Sequence, residues 1–435
     1  MTHRTHRTHQ TGQTGQTGQT GHAARTVRAP GIILVEHEVA VPLDHSRPDG
    51  KQVSVFAREV ADPEGRERPF LLFLQGGPGH EAERPTRGPS NPGWLDRALQ
   101  DYRVLMLDQR GTGRSSPVGR LPGLSADQQA ERLALFRADA IVWDAEVIGR
   151  RLGVDRWSVL GQSFGGFCSL RYLSATPEAL REAFSAGGLP PVGRPVDDVY
   201  RATYATMLER SRRYYTRYPQ DRDRVRALHD RAGAGDLRLP NGDVVRTPRL
   251  RSIGDALGES DGAEQLHYLL ELDPDSPAFR HDLAAAMPFT GRNPLYAVLH
   301  ESCYADGGAT RWSAQRTLPE QFREDVNALH RRAPLRLVID EDSELAPLRA
   351  AADLLAEREW PALCDADVLR SVDVPCAAAV YAEDPYVDRA LSEETAAMIP
   401  RMRRWVTNEH EHNGLRADGG RILDRLIGLA RGRLA

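Results

Sequence analysis

The sequence predicts an α/β chain in which a mostly parallel sheet, flanked by helices, is interrupted by an inserted helical cap domain. Three observations carry this. First, the runs FLLFLQ (70–75), VLMLD (104–108) and WSVLG (157–161) are apolar without alternation, so both faces of each strand must be covered, as in a parallel sheet. Second, the text between them, ADQQAERLALFRADAIVWDAEVIGRRLG (126–153), places apolar residues at helical spacing and ends on Gly153, where a helix would stop. Third, strong strand signals cease over 191–359 and return near the carboxyl end.

Taken in order, residues 1–30 begin with a three-residue repeat of Thr, His, Arg, Gln and Gly that has no apolar group to repay the entropy of ordering. A disordered tail is expected there, with His3, His6, His9 and His22 solvated and not metal ligands. ILVEHEVAVPLD (33–44) and QVSVFAREV (52–60), separated by the turn residues Pro48, Asp49 and Gly50, read as strands. EAFSAGG (182–188), VPCAAAVYAED (374–384) and RRWVTNE (403–409) supply further strands, and GGRILDRLIGLARGRL (419–434) an amphipathic closing helix. The expected organisation is a catalytic core of 31–190 plus 360–435 and a helical cap of 191–359.

Composition narrows the function. The 435 residues are 40% hydrophobic and 27% charged, and no apolar run is long enough to span a membrane. With 57 basic against 61 acidic residues, the formal charge of -4 offers no net attraction to nucleic acid or an anionic membrane surface. Cys168, Cys303, Cys364 and Cys376 form no C-x-x-C pair, so neither a disulfide framework nor a zinc cluster is suggested, and no metal or cofactor is expected. Lys51 is the one lysine, which removes Schiff-base chemistry. The amino end has no apolar stretch of secretory type, so the default location is cytoplasmic.

Gly161-Gln162-Ser163-Phe164-Gly165-Gly166 matches G-x-S-x-G, directly after an apolar strand and before helix-compatible text. A sharp strand-to-helix turn there would expose the Ser163 hydroxyl above the sheet and aim the Phe164 amide at a developing oxyanion. A serine needs a base, and the base needs an acid to hold its tautomer. In this architecture the chain order is Ser, acid, His. The acid falls in the loop after VPCAAAVYA, where Asp384 is favoured over Asp388. The histidine falls after RRWVTN, where His412, next to the turn signal Asn413-Gly414, is favoured over His410. Gln75-Gly76-Gly77-Pro78-Gly79, after the strand FLLFL, would bring the second oxyanion amide.

GGPG after a strand, DQRGTGRS (108–115), GQSFGG (161–166) and a late EHNG together resemble the prolyl aminopeptidase (proline iminopeptidase) family of α/β-hydrolases, from about residue 33 to the end. The resemblance implies an α/β-hydrolase fold, Ser163 as nucleophile, Asp384 and His412 as acid and base, and Gly76 and Gly77 in the oxyanion hole. Asp108 and Arg110 would fix a loop. The family's common HGGPG carries Gln75 here in place of the histidine. The implied activity is that of a serine exopeptidase releasing an N-terminal residue, preferably proline, from small peptides with a free N-terminus. Its acidic cap residues bind the substrate ammonium, and Glu271 in LHYLLELD and Glu301 in YAVLHESCY, each set in apolar text, are the expected substrate-binding pair; Tyr296 and Tyr304 could line the pocket for a pyrrolidine ring. An esterase, lactonase or amide hydrolase on the same scaffold is the alternative, since fold and triad do not fix the acyl group. A catalytically silent hydrolase-like binding protein is the third, against which the intact triad stands.

Overall fold

The computed structural model describes residues 22–86, 88, 91–330 and 335–435. They form one mixed sheet of nine strands, β1 (His22–Ala29), β2 (Ile32–Pro42), β3 (Gln52–Ala61), β4 (Phe70–Leu74), β5 (Arg103–Leu107), β6 (Trp157–Gln162), β7 (Leu180–Ala186), β8 (Cys376–Tyr381) and β9 (Met402–Thr407), ordered β1-β2-β3-β5-β4-β6-β7-β8-β9. β1, β2, β3 and β5 pair antiparallel, whereas β5, β4, β6, β7, β8 and β9 run parallel. The strand order reverses between β4 and β6, and the loops leaving the carboxyl ends of neighbouring strands there enclose a crevice.

Both faces of β4, β5, β6 and β8 are covered, which is why these strands read as nearly unbroken apolar runs. Leu71 and Phe73 of β4 pack with the helices Leu95–Asp101 and Gly419–Ala430 on one face. Phe70, Leu72 and Leu74 pack on the other face with the helices Ala138–Leu152 and Phe164–Ala175. The helix Ala138–Leu152 ends at Gly153 in the left-handed conformation, φ 66°, as a glycine stop should. Between β7 and β8 lie helices that include Val196–Arg217, Asp221–Ala234, Gly262–Glu271 and Pro294–Val298. Among the described residues no helix is long and apolar enough to cross a membrane.

One expectation about the amino end is corrected. Residues 22–29, assigned above to the tail, form a strand in antiparallel register with β2, from His22 opposite Val39 to Ala29 opposite Ile32. Thr26 and Val27 have modest strand propensity, and the open edge of β2 supplies the hydrogen bonds that a free tail lacks. His3, His6 and His9 lie outside the described residues.

Candidate active site

Ser163 sits between β6 and the helix Phe164–Ala175 with φ 52° and ψ -120°, a conformation costly for any residue with a side chain. The neighbouring glycines make that turn possible. A Cβ on Gly165 would lie 1.8 Å from the Leu74 carbonyl oxygen, and one on Gly161 would lie 2.3 Å from the carbonyl oxygen of Gly165. The serine hydroxyl thus projects from the sheet where β4 and β6 part.

His412 Nε2 is 3.0 Å from Ser163 Oγ, and His412 Nδ1 is 2.7 Å from Asp384 Oδ2. The other carboxylate oxygen of Asp384 accepts the amides of Tyr386 at 2.7 Å and Val387 at 3.1 Å. Asp384 is therefore fixed by its own loop, and its remaining oxygen selects the tautomer in which Nδ1 carries the proton and Nε2 faces the serine. The Tyr386 ring packs on His412 with centroids 4.6 Å apart. The two alternatives left open by the sequence go elsewhere. Asp388 accepts the Leu391 amide at 3.1 Å and caps the helix Arg389–Met398. His410 lies against Trp405, 3.2 Å from Asp418.

The loop after β4 is held by two glutamines. The Gly76 amide, expected to face an oxyanion, donates here to the Gln75 side-chain oxygen at 2.9 Å. Gln109 Nε2 holds the same loop through the Gln75 carbonyl, also at 2.9 Å. Gly77 has φ +130°, open to glycine, and Phe164 opens a twelve-residue helix directly after Ser163. Asp108 takes a bidentate Arg84 at 2.7 and 2.8 Å, and buried Arg110 donates to Asp144 and to the carbonyls of Pro42, Leu43 and Leu135. Both fix loops.

Ser163 and His412 open into a cavity of about 330 Å³ whose other walls include His80, Glu83, Trp94, Asp255, Glu259, Pro288, Tyr296 and Leu415. Its carboxylates are not those expected. Glu271 is 47% exposed and pairs with His267 one turn back at 3.3 Å, away from the cavity. Glu301 is buried, but its oxygens accept the amides of Ser313 at 3.0 Å and Ala314 at 2.8 Å. Burial pushes its carboxyl up to about 7, offset in part by those amides and the Thr310 hydroxyl. Apolar surroundings signalled a buried group at 301, and the structure faces its oxygens to backbone amides. Tyr296 lines the cavity, whereas the Tyr304 hydroxyl donates to the Tyr386 carbonyl at 3.0 Å.

Three acids in the cavity escaped the sequence reading. Glu83 accepts from Trp94 Nε1 at 3.1 Å, and burial raises its carboxyl above the usual range. It stands four residues beyond Gly79, so the loop after GGPG was the available signal. Asp255 lies in a 3₁₀ segment, Ser252–Gly258, and Glu259 just beyond it, paired with Arg416 at 2.9 Å; irregular backbone of this kind has no period to read.

Residues 69–230 match the family described as alpha/beta hydrolase fold. The chain is 44% identical over 419 residues to a proline iminopeptidase of Aeromonas sobria, covering 92% of this chain and 97% of that one. It is 31% identical over 428 residues to proline iminopeptidase aneH of Aspergillus aculeatus, covering 92% and 94%. A solved structure of a proline iminopeptidase of Mycobacterium smegmatis matches over 91% of this chain and all of its own, at a TM-score of 0.42 and 15% identity. With 44% identity across almost the full length of both chains, this chain belongs to the proline iminopeptidase family of α/β-hydrolases.

Proposed function

We propose that the chain is a serine exopeptidase that releases an N-terminal residue, preferably proline, from short peptides through an acyl-enzyme on Ser163. One observation carries this: the hydrogen-bonded run Asp384–His412–Ser163 opens into a small cavity with three acidic side chains in its walls. In the first step His412 Nε2 takes the proton as Ser163 Oγ attacks the carbonyl carbon of the first residue. The amides of Phe164 and Gly77 stabilise the oxyanion. Collapse breaks the peptide C–N bond, the imidazolium gives its proton to the leaving amine, and water then hydrolyses the acyl-enzyme by the same route.

Glu83, Asp255 and Glu259 are the proposed ammonium subsite, in place of Glu271 and Glu301. A carboxylate in a partly desolvated wall binds a substrate cation more strongly than one in water. Tyr296, Pro288, Trp94 and His80 would enclose a compact first side chain such as a pyrrolidine ring. The division into a 31–190 plus 360–435 core and a 191–359 cap belongs to the same proposal, with Asp255, Glu259, Pro288 and Tyr296 contributed by the cap. A cytoplasmic location is part of it too, on the sequence alone.

The test is a panel of prolyl, alanyl and leucyl naphthylamides, N-acetyl-prolyl naphthylamide and a neutral p-nitrophenyl ester. Prolyl naphthylamide should turn over fastest among the amides and its N-acetyl form not at all. Turnover of the ester alone would replace the exopeptidase with an esterase.

A further inference from the structure

We infer that Arg210, on the helix Val196–Arg217, is a positioning residue for the reaction: its guanidinium ties the loop that carries Asp384 to the loop that carries His412. The inference rests on the assignment of Ser163, His412 and Asp384 above. Arg210 Nε and Nη2 donate to the main-chain carbonyl of Glu383 at 3.1 and 2.8 Å. Nη1 donates to Glu411 Oε1 at 2.7 Å, and Nη2 to Glu411 Oε2. Glu383 and Glu411 each immediately precede one of the two residues concerned. The arginine side chain is only 14% exposed, so this is a largely desolvated, bidentate pair and not a surface contact.

The loops need such a tie. β8 and β9 are neighbouring parallel strands, and the Ala382 amide still donates to the Thr407 carbonyl at 2.8 Å where the ladder ends. Beyond that point each loop turns away from regular pairing, and the hydrogen bond between Asp384 and His412 must hold its length without a ladder. A planar fork with fixed donor directions suits the task in a way a flexible ammonium does not. The insert grips the same region again, through the His412 amide on the Gly258 carbonyl at 3.1 Å and Ser260 on Asn413 Oδ1. Of these contacts, that of Arg210 reaches both loops at once. Arg213, one turn further on, pairs with the Glu383 and Glu209 carboxylates while 53% exposed, and touches neither loop's backbone in this way.

The experiment compares the full chain with Arg210→Gln, Arg210→Lys and Arg213→Gln. It measures kcat and KM on prolyl naphthylamide and on the neutral ester, the inactivation rate constant with diisopropyl fluorophosphate, and Tm. A displacement of order 1 Å in a reacting group can cost about a hundredfold, so Arg210→Gln should lower kcat by about 10- to 100-fold on both substrates. KM should stay within about twofold, and the inactivation rate constant should fall with kcat, because phosphorylation of the serine needs the same base and acid. Arg210→Lys keeps the charge but not the fork and should recover only part of the loss. Arg213→Gln should behave as the parent.

Arg210→Gln with a lowered Tm but the parental kcat and inactivation rate constant, counted per folded molecule, overturns the inference. So does a rise in KM with kcat unchanged, which would make Arg210 part of substrate binding. If Arg210→Gln does not fold, Arg210→Lys decides: parental kcat there also overturns it. A parent enzyme that cleaves the ester but not prolyl naphthylamide overturns the exopeptidase and leaves Arg210 to be judged on the ester and the phosphorylating probe.

Discussion

At the scale of the residue, the proposed triad and the residues beside it in sequence make separable claims. Ser163→Ala should remove turnover by about 10⁴ to 10⁶ in kcat while leaving Tm near the parent's, because the hydroxyl is a reacting group and not a packing one. A residue of more than a few per cent activity would end its candidacy as nucleophile. Asp384→Asn and His412→Ala should be nearly as damaging. Asp388→Asn and His410→Ala should leave kcat close to the parent's, since the first side chain caps a helix and the second lies against Trp405. For the ammonium subsite, Glu83→Gln should raise KM for prolyl naphthylamide by about tenfold, the worth of one charge-assisted hydrogen bond, and leave the ester unchanged. Since burial raises the Glu83 carboxyl, its proton returns on acidification earlier than for an exposed glutamate. The parent's KM for the amine substrate should therefore climb as pH falls through that range, and Glu83→Gln should lose this climb; equal pH dependence in both would remove Glu83 from the subsite. Ser163, Asp384 and His412, which the structure brings together, were legible because each follows a strand and stands beside a turn signal: Gly161 and Gly165 for the first, Pro385 for the second and Asn413-Gly414 for the third. The acids that line the cavity were not, because a carboxylate in apolar helical text looks the same whether it faces a cavity, as expected of Glu301, or two backbone amides, as found.

Elements show the same contrast. Whereas β7 and β9 carry Arg181, Arg403 and Arg404 on exposed positions, β4, β5, β6 and β8 were readable as nearly unbroken apolar runs, since burial on two faces leaves few polar positions to interrupt them. β1 was not, because most of its residues from Ala24 on are exposed and its partner is the edge of β2, a long-range fact invisible in HAARTVRA. Glu301 and the turn into Ser313 form an element-scale device with a measurable consequence. Its carboxyl titrates at about 7 in the folded chain against an ordinary 4.5, so between those values the folded chain holds a proton that the unfolded chain has released. The associated stability is fully present below about 4.5 and is lost as pH rises through about 7. Its size is at most about 3 kcal/mol, given 1.36 kcal/mol per pKa unit. Glu301→Gln abolishes this titration. It also leaves an amide NH₂ facing a backbone N–H, so the variant should be the less stable at pH 5. The gap in Tm between parent and variant should then narrow from pH 5 to pH 8, measured by thermal melts across that window. A gap independent of pH would mean that Glu301 is ionised throughout.

For the whole molecule, the insert between β7 and β8 is not a lid resting on a finished core. One continuous buried cluster includes Leu72 of β4 and Phe167 beside the nucleophile, together with Tyr200, Leu270 and Tyr304 of the insert. Phe167 and Tyr304 meet with ring centroids 5.2 Å apart, buried Arg137 donates to the Ala305 carbonyl at 2.5 Å, and the Tyr386 hydroxyl donates to the Asp255 carbonyl. Lifting the insert would expose those rings and cost the buried Arg137 guanidinium one of its two carbonyl acceptors, the other being that of Pro361 at 3.2 Å, a total of several kcal/mol. The expectation is that substrate reaches Ser163 through the mouth of the cavity while the insert stays docked. Two parts that share a core should also melt as one. Far-ultraviolet ellipticity, tryptophan fluorescence and residual activity, followed together in a urea titration, should give a single coincident transition. Loss of activity and of the insert's helices at a lower urea concentration than the sheet's would show instead an insert that opens by itself, and would return domain motion to the account of how substrate enters.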